Sequence, residues 1–459
     1  MNLKLQERIN IIYLTVFLTI TCLVLVMYTG QAYVAIDTTI YTIIGKDIFE
    51  SLTLPYGNTF DHKPLFTYYI YGFFHYLVGQ KYLYLSVAFV CTLSSAIILS
   101  NKNLNKFLVI SSFLFVSSVL IENFSGNSEM LMLPFIGLYI YFYTSNISDK
   151  YKFFLIGATA ALVFNINYLA APIMMPVTLY MFFSKGFDSY VSRILKFLSG
   201  FIILNIIIFS PFYITNQSIT EYFTLQLQFL TGYSGSSNRL DSFINLSKFI
   251  VIFLPIVILY ILRTDKDKYF YVTSLLYIGT IIAAFMSGRG YSHYLEPTVV
   301  PLAIMFWTVL NQEKFKITIA ILLPALAAMI YGLPLRIASL DKNNYIYTLE
   351  AQQDLNHLNK LARVDKSSLN IQSTHIIYLY SDLKNVNKYI WSNHPQIMFG
   401  NYANDYYIEE IRKEPYTIMT KVDMCDQPND VCTLINKNYI FDSTSKIQEG
   451  YDLYIRRKS

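Results

Sequence analysis

A polytopic α-helical membrane protein of roughly eleven transmembrane helices, with a small C-terminal extracytoplasmic α/β domain, is the fold class that the sequence predicts. Three observations predict it. Hydrophobic residues make up 54% of the 459-residue chain and charged residues only 14%, which is more apolar surface than a soluble domain can bury. Apolar runs of membrane length recur along the chain. The basic residues sit in short clusters between those runs. The formal net charge of +5 therefore reports topology and not a nucleic-acid partner, because the cations form no basic face.

The first apolar run, Ile11 to Thr29, follows Lys4 and Arg8 as in a signal peptide, but it is long enough to span and lacks a small-residue cleavage site. It reads as an uncleaved first helix. Further helices are predicted at 82–100, 107–121, 129–144, 153–169, 172–184, 197–214, 249–262, 269–286, 298–311 and 316–335. Lys4/Arg8, Lys102/Lys106, Lys150/Lys152, Lys185/Arg193/Lys196, Arg263/Lys266/Lys268 and Lys314/Lys316 fall in alternate connections. The positive-inside rule makes their side cytoplasmic. The other side receives 31–81, 122–129, 165–171, 215–248, 287–297 and everything after about Arg336. The N-terminus is then cytoplasmic, the C-terminal region extracytoplasmic, and the chain a multi-pass protein of the plasma (inner) membrane.

The sequence divides into a membrane domain, 1–335, whose first outer loop is 30–81, and a soluble domain, 336–459. Beyond Arg336 the composition becomes rich in Asn, Asp, Lys and Tyr, with short apolar runs at Ile376–Tyr380, Tyr416–Thr420, Tyr439–Asp442 and Tyr451–Ile455 and a helix expected near Tyr347–Leu361. Cys425 and Cys432 form a disulfide if this part lies in an oxidising compartment, and are otherwise two free thiols. There is no CxxC pattern, so no structural zinc site is expected.

The first outer loop carries Ile36, Ile40, Ile43, Ile44 and Ile48 at helical spacing, which suits a helix lying along the membrane interface. Asp37 starts that helix; an acid there caps the N-terminus and faces its dipole, or does chemistry. The loop runs on through Leu54-Pro55-Tyr56 and Asp61-His62-Lys63-Pro64 to Leu77-Val78-Gly79.

With Asp37 and Tyr41, these motifs resemble the first outer loop of the GT-C glycosyltransferases related to protein O-mannosyltransferases and the lipid A aminoarabinose transferase. Asn127-Ser128-Glu129 at the mouth of a helix and Gly288 to Leu295, with Arg289, His293 and Tyr294, are similar too. The resemblance covers the membrane domain only. It implies that Asp37 is the catalytic base and that Lys63 meets the phosphate of a polyprenyl-phosphate sugar donor. Two positions depart from the family pattern: Thr38 stands where many relatives carry a second acid, and His62 where the aminoarabinose transferases have Glu. The second difference weakens the carrying over of any metal bridging to that position.

The physical reading of the same residues agrees. A lipid-linked phosphate lies where bilayer meets water, and a cation such as Lys63 facing it stabilises the charge that develops as the sugar–phosphate bond breaks. Arg289 and His293, four apart, add to that cation set if their turn is helical. A carboxylate within reach of the attacking hydroxyl takes its proton, and Asp37 is the first candidate. Asp61, His62, Glu129, Tyr56 and Tyr294 are secondary substrate-binding candidates; Asp61 and Glu129 are equally candidate helix caps. No nucleotide-phosphate loop and no HExxH occurs, and the histidines have no metal-ligand spacing by themselves.

The function expected is an inverting transfer of sugar from a polyprenyl-phosphate donor, undecaprenyl in a bacterium, to lipid A, a cell-envelope glycan or a protein. No cofactor is required, though a divalent cation is compatible with it. The alternative is a transporter or flippase of a lipid-linked sugar, which would place its ionisable residues deep inside spans. Here they gather in outer loops.

Overall fold

The computed structural model describes residues 36–55, 59–122, 125–184, 190–234, 239–262, 265–311, 349–391, 393–443 and 451–457. The spans expected at 11–29 and 316–335, and Tyr56, lie outside the described residues.

The segment expected to be the first outer loop folds into two helices, α1 (Ile36–Ser51) and α2 (Leu65–Val78). Pro64 immediately precedes α2, with φ −65° already set for helix entry, and Gly79 ends it at φ +70°, a conformation open to glycine. The two helices touch backbone to backbone. A Cβ on Gly45 would lie 2.5 Å from the Gly72 nitrogen and 2.5 Å from the Tyr68 carbonyl oxygen. The apolar face of α1 is buried as its spacing demands, but so are Thr38, Thr39 and Thr42, each at 0% exposure. Protein covers the polar face that an interfacial helix would show to water.

The helical bundle continues through α3 (Leu83–Ser100), α4 (Leu104–Glu122), α5 (Ser128–Thr144), α6 (Asp149–Phe164), α7 (Ala170–Phe183), α8 (Tyr190–Ile214), α9 (Ile219–Ser234), α10 (Arg239–Ile261), α11 (Lys268–Met286), a 3-10 turn at Ser292–Thr298 and α12 (Val299–Leu310). Among the described residues, Leu83–Ser100, Leu104–Ile121, Tyr190–Ile214 and Lys268–Met286 are long and apolar enough to cross a membrane, and Ala170–Phe183 and Leu246–Ile261 are shorter apolar helices. Small residues let the helices close: Gly157 of α6 and Gly200 of α8 each approach a backbone carbonyl of the other helix, so that a Cβ at either would lie 2.0 Å from it. The loop expected at 215–248 is largely helical, in α9 and the start of α10.

The C-terminal residues begin with α13 (Leu349–Ala362) and form a five-stranded sheet ordered β2-β1-β3-β5-β4. β1 (Ser367–Ile371) runs parallel to β2 (Lys384–Asn385) and β3 (Thr417–Thr420). β5 (Asp452–Arg456) is antiparallel to β3 and β4 (Tyr439–Phe441). Leu369, Ile371 and Ile418 face Ile411, Val431 and Ile435 in a separate small core. Cys425 and Cys432 are disulfide-bonded. The run Ile376–Tyr380 differs from a strand: it forms a single helical turn, Ile377–Tyr380, that packs on α1.

This part grips the outer loop. His375 Nε2 lies 2.9 Å from Thr39 Oγ1, the Phe60 amide donates to the Lys388 carbonyl at 2.7 Å, and Lys388 pairs with Glu221 of α9 at 2.8 Å. The loop and helical turn after β1, with His375 and Ile377–Tyr380, therefore pack on α1 and reach its polar side at Thr39.

The glycine contact between α1 and α2 predicts that Gly45→Ala overpacks the pair and destabilises the protein by about 1–3 kcal/mol. Gly137→Ala, whose Cβ would meet its first neighbour at an ordinary 3.7 Å, should instead be neutral or gain up to about 1 kcal/mol of helix propensity. Melting of both variants in detergent checks the difference.

Candidate active site

Lys63 stands at the turn into α2 and is only 5% exposed. Its backbone is held in place: the carbonyl accepts from the Tyr68 hydroxyl at 2.9 Å and from Gln226 Nε2 at 3.3 Å. Its ammonium donates to Glu129 Oε1 at 2.9 Å and lies 5.9 Å from the centre of the Tyr41 ring. Burial alone would depress the ammonium, but Glu129, with Asp37 and Asp61 beyond it, raises Lys63 above the ordinary lysine value. It is a cation in a shielded place, not a side chain exposed at the lipid–water boundary.

Glu129 sits in the first turn of α5, where the helix dipole favours a carboxylate, and Asn127 caps that helix by accepting from the Ser128 amide at 2.8 Å. Glu129 is 1% exposed. Besides Lys63, Oε1 accepts from Asn167 Nδ2 at 2.7 Å, and Oε2 accepts from Ser128 Oγ at 2.9 Å. Asn167 is itself pinned, its Oδ1 taking the Leu169 amide at 2.9 Å. His293, 7% exposed, is close enough for its charge to act on Glu129. First outer loop, α5 mouth, the 165–171 connection and the 287–297 segment thus meet at one carboxylate.

Asp37 occupies the first turn of α1 and is half-buried, and its charge bears on Lys63 and Tyr41. Arg289 and His293 do not share a helical face. Gly288 and Gly290, at φ +65° and +64°, flank Arg289 in left-handed turns, and the 3-10 turn starts only at Ser292. His293 stacks on Tyr291 and contacts Tyr294, which is buried. Glu296, 0% exposed, accepts from Ser118 Oγ at 2.9 Å, one turn further into the bundle.

Asp61 is also buried, at 1% exposure. Oδ2 accepts from the Tyr68 hydroxyl at 3.0 Å, and Oδ1 lies 3.1 Å from His62 Nδ1. Burial opposes its charge, yet the His62 ring and the Tyr68 hydroxyl outweigh it and hold the carboxyl well below the usual range. His394, from the C-terminal part, brings Nε2 to 3.9 Å from the same Oδ1. Burial pushes this imidazole down to about 3, so it is neutral. Asp61, His62 and His394 are the described residues able to hold a metal.

Sequence reasoning missed Tyr68, Asn167, Gln226, His375 and His394. Asn167 and Gln226 are amides in apolar surroundings and gave a weak signal. Nothing in the order of residues links the two C-terminal histidines to a loop more than 300 positions away.

No protein-family model matches the chain, and neither does any curated protein. The structure, however, is similar over nearly its whole length to ArnT from Cupriavidus metallidurans bound to undecaprenyl phosphate: TM-score 0.67, 11% identity, 98% of each chain covered. Apo ArnT from the same organism gives 0.65 at 11% identity, over 96% of this chain and 97% of that one. The archaeal oligosaccharyltransferase AglB from Archaeoglobus fulgidus, in complex with an inhibitory peptide and a dolichol-phosphate, gives 0.54 at 11% identity, over 97% of this chain and 74% of that one. The chain has the GT-C fold. Within that fold the buried Lys63–Glu129 pair joins the turn into α2 to the first turn of α5.

Removing one partner of a buried pair leaves the other uncompensated. Lys63→Ala is expected to destabilise the protein by about 3–5 kcal/mol, whereas Lys63→Met combined with Glu129→Gln should recover most of that loss. Chemical unfolding of the three proteins in micelles decides it; a double variant no better than the single one would show that the pair is not the element that matters.

Proposed function

We propose that this GT-C protein is an integral-membrane glycosyltransferase that moves a sugar from a polyprenyl phosphate to a hydroxyl group outside the cytoplasm. The observation that carries the reading is the shielded Lys63 ammonium, set where four segments converge, with a half-exposed carboxylate, Asp37, near enough for its charge to act on it. Such a cation suits a phosphate, and such a carboxylate suits a proton. The fold it shares with proteins bound to undecaprenyl phosphate and dolichol-phosphate supports a lipid-linked donor; in a bacterium the carrier is undecaprenyl phosphate.

In this reading the acceptor hydroxyl oxygen attacks the anomeric carbon and its proton passes to Asp37. The bond from that carbon to the phosphate oxygen breaks, its electron pair leaves with the phosphate, and Lys63 meets the charge that appears there. Glu129 and Asn167 position Lys63 until the donor phosphate arrives. Attack and departure on opposite faces of the sugar invert the anomeric centre. The acceptor class is a cell-envelope glycan, a lipid such as lipid A, or a protein side chain.

Asp37→Asn keeps shape and capping capacity but removes the base. It should retain donor binding and melting temperature while losing transfer by a factor on the order of 10²–10⁴. Single-turnover transfer measured beside a melting curve tests this. Near-normal transfer at unchanged stability would move the base away from Asp37.

The same reading puts the C-terminal sheet outside the cell, where the Cys425–Cys432 disulfide is at home. An impermeant thiol reagent should label Ser443→Cys in intact cells or spheroplasts and spare Asn105→Cys. The reverse pattern would refute the orientation.

A further inference from the structure

Lysines from two separate basic clusters, Lys102/Lys106 and Arg263/Lys266/Lys268, come together at the end of the bundle away from Lys63. Glu129 opens α5 and Thr144 closes it, so the two ends stand roughly 22 Å apart for a helix of that length. At the Thr144 end lies a cavity of about 490 Å³, within the range of small-ligand sites. Lys106 of α4 and Lys268 of α11 both line it, together with the last turns of α3 and α5. Lys106 is half-buried in the first turn of α4, where the helix dipole disfavours a cation, and Lys268 begins α11. Among the described residues neither lysine is ion-paired. Asp267, next to Lys268, already caps α11 by accepting from the Phe270 amide at 2.9 Å. Lys268 Nζ makes one long bond, 3.4 Å, to the Thr144 carbonyl, which leaves two of its three N–H donors. Two like charges on one cavity repel each other, and an anion in the cavity removes that cost.

We infer that this cavity binds the headgroup of an anionic phospholipid, with the phosphate on Lys106 and Lys268. Depth commits the occupant to a lipid. Leu83–Ser100, Leu104–Ile121 and Lys268–Met286 are long and apolar enough to cross a membrane, and all three have an end here. That is the level at which headgroups lie. Ile97 and Leu104, 61% and 65% exposed, present apolar surface beside the cavity, as acyl chains require. Tyr269 lines it with an exposed ring of the kind that membrane interfaces favour. Leu99, Ile140 and Ile304 form a buried apolar wall, which suits the glycerol and ester end of a lipid better than a fully hydrated ion.

Two hydroxyls set a preference among headgroups. Thr144 Oγ1 donates to the Ile140 carbonyl at 2.8 Å and Ser145 Oγ to the Phe142 carbonyl at 3.1 Å, so towards a ligand both oxygens act as acceptors. A glycerol headgroup brings two hydroxyl donors to them, whereas a choline headgroup brings none and carries a cation towards the lysines. The basic residues that report topology therefore also hold a lipid, and this stands whether or not the protein transfers sugar.

The test uses the full-length protein, delipidated in a neutral detergent. It is titrated separately with dioctanoyl phosphatidylglycerol, dioctanoyl phosphatidylcholine and inorganic phosphate, and binding is read by native mass spectrometry and by melting temperature. The wild type is expected to retain one saturably bound phosphatidylglycerol and to melt higher with it, and to respond to neither of the other two. Lys106→Gln and Lys268→Gln should each weaken that binding about fivefold, and together about 30-fold, from the loss of one and then two lysine contacts to an anionic lipid. Lys196→Gln, which removes a lysine of another basic cluster, on α8, should leave it unchanged. An equal response to phosphatidylcholine or to inorganic phosphate overturns the proposal. So does unchanged phosphatidylglycerol binding in the double variant, or an equal loss in the Lys196 variant. The wild-type comparison decides even if a variant fails to fold.

Discussion

A lysine ammonium and a glutamate carboxylate 2.9 Å apart, both shut away from water, constrain everything around them. Neither charge tolerates burial alone, so the segments that carry them must arrive together and their remaining hydrogen-bond capacity must be filled. Ser128 and Asn167 fill it on the carboxylate side. Tyr68 and Gln226 fix the backbone on the lysine side. The glycine contact between α1 and α2 packs α1 against the Tyr68 backbone. The pair is therefore the point that the surrounding packing serves: a cation kept charged and oriented in a place that water does not reach.

The C-terminal sheet is part of this arrangement. It supplies His375 to the polar face of α1 and His394 to Asp61, and it pins the loop backbone at Phe60. The buried threonines of α1 are tolerable because they are hydrogen-bonded, Thr39 to His375 and Thr42 to the Thr38 carbonyl. A membrane part and a sheet that read as separate units in composition share one polar boundary, and the candidate site lies along it.

Sequence alone pointed to a membrane protein and grouped Lys63, Asp37, Glu129 and His293, which the fold brings within electrostatic reach of one another, because apolar runs and basic clusters are local signals that need no knowledge of contacts. The helices at 82–100 and 269–286 lie within a residue of α3 and α11 for the same reason. The resemblance of the first loop and the GT-C fold agree. What spacing misjudged were features set by distant partners. Lys63 reads as a residue at the lipid–water boundary and is in fact buried, since its partner lies 66 positions away. Arg289 and His293 are four apart yet share no face, because two left-handed glycines break the turn.

The sequence by itself thus determined which segments are apolar and where the long helices run, and it singled out the loop whose Lys63 the fold buries. Only the tertiary structure decided that Asn167 completes the Lys63–Glu129 pair and that His394 joins Asp61 and His62. The physical reason is that burial and pairing of polar groups depend on where the chain returns to, and Asp61 and His394 stand 333 positions apart in a sequence whose local pattern says nothing of their meeting.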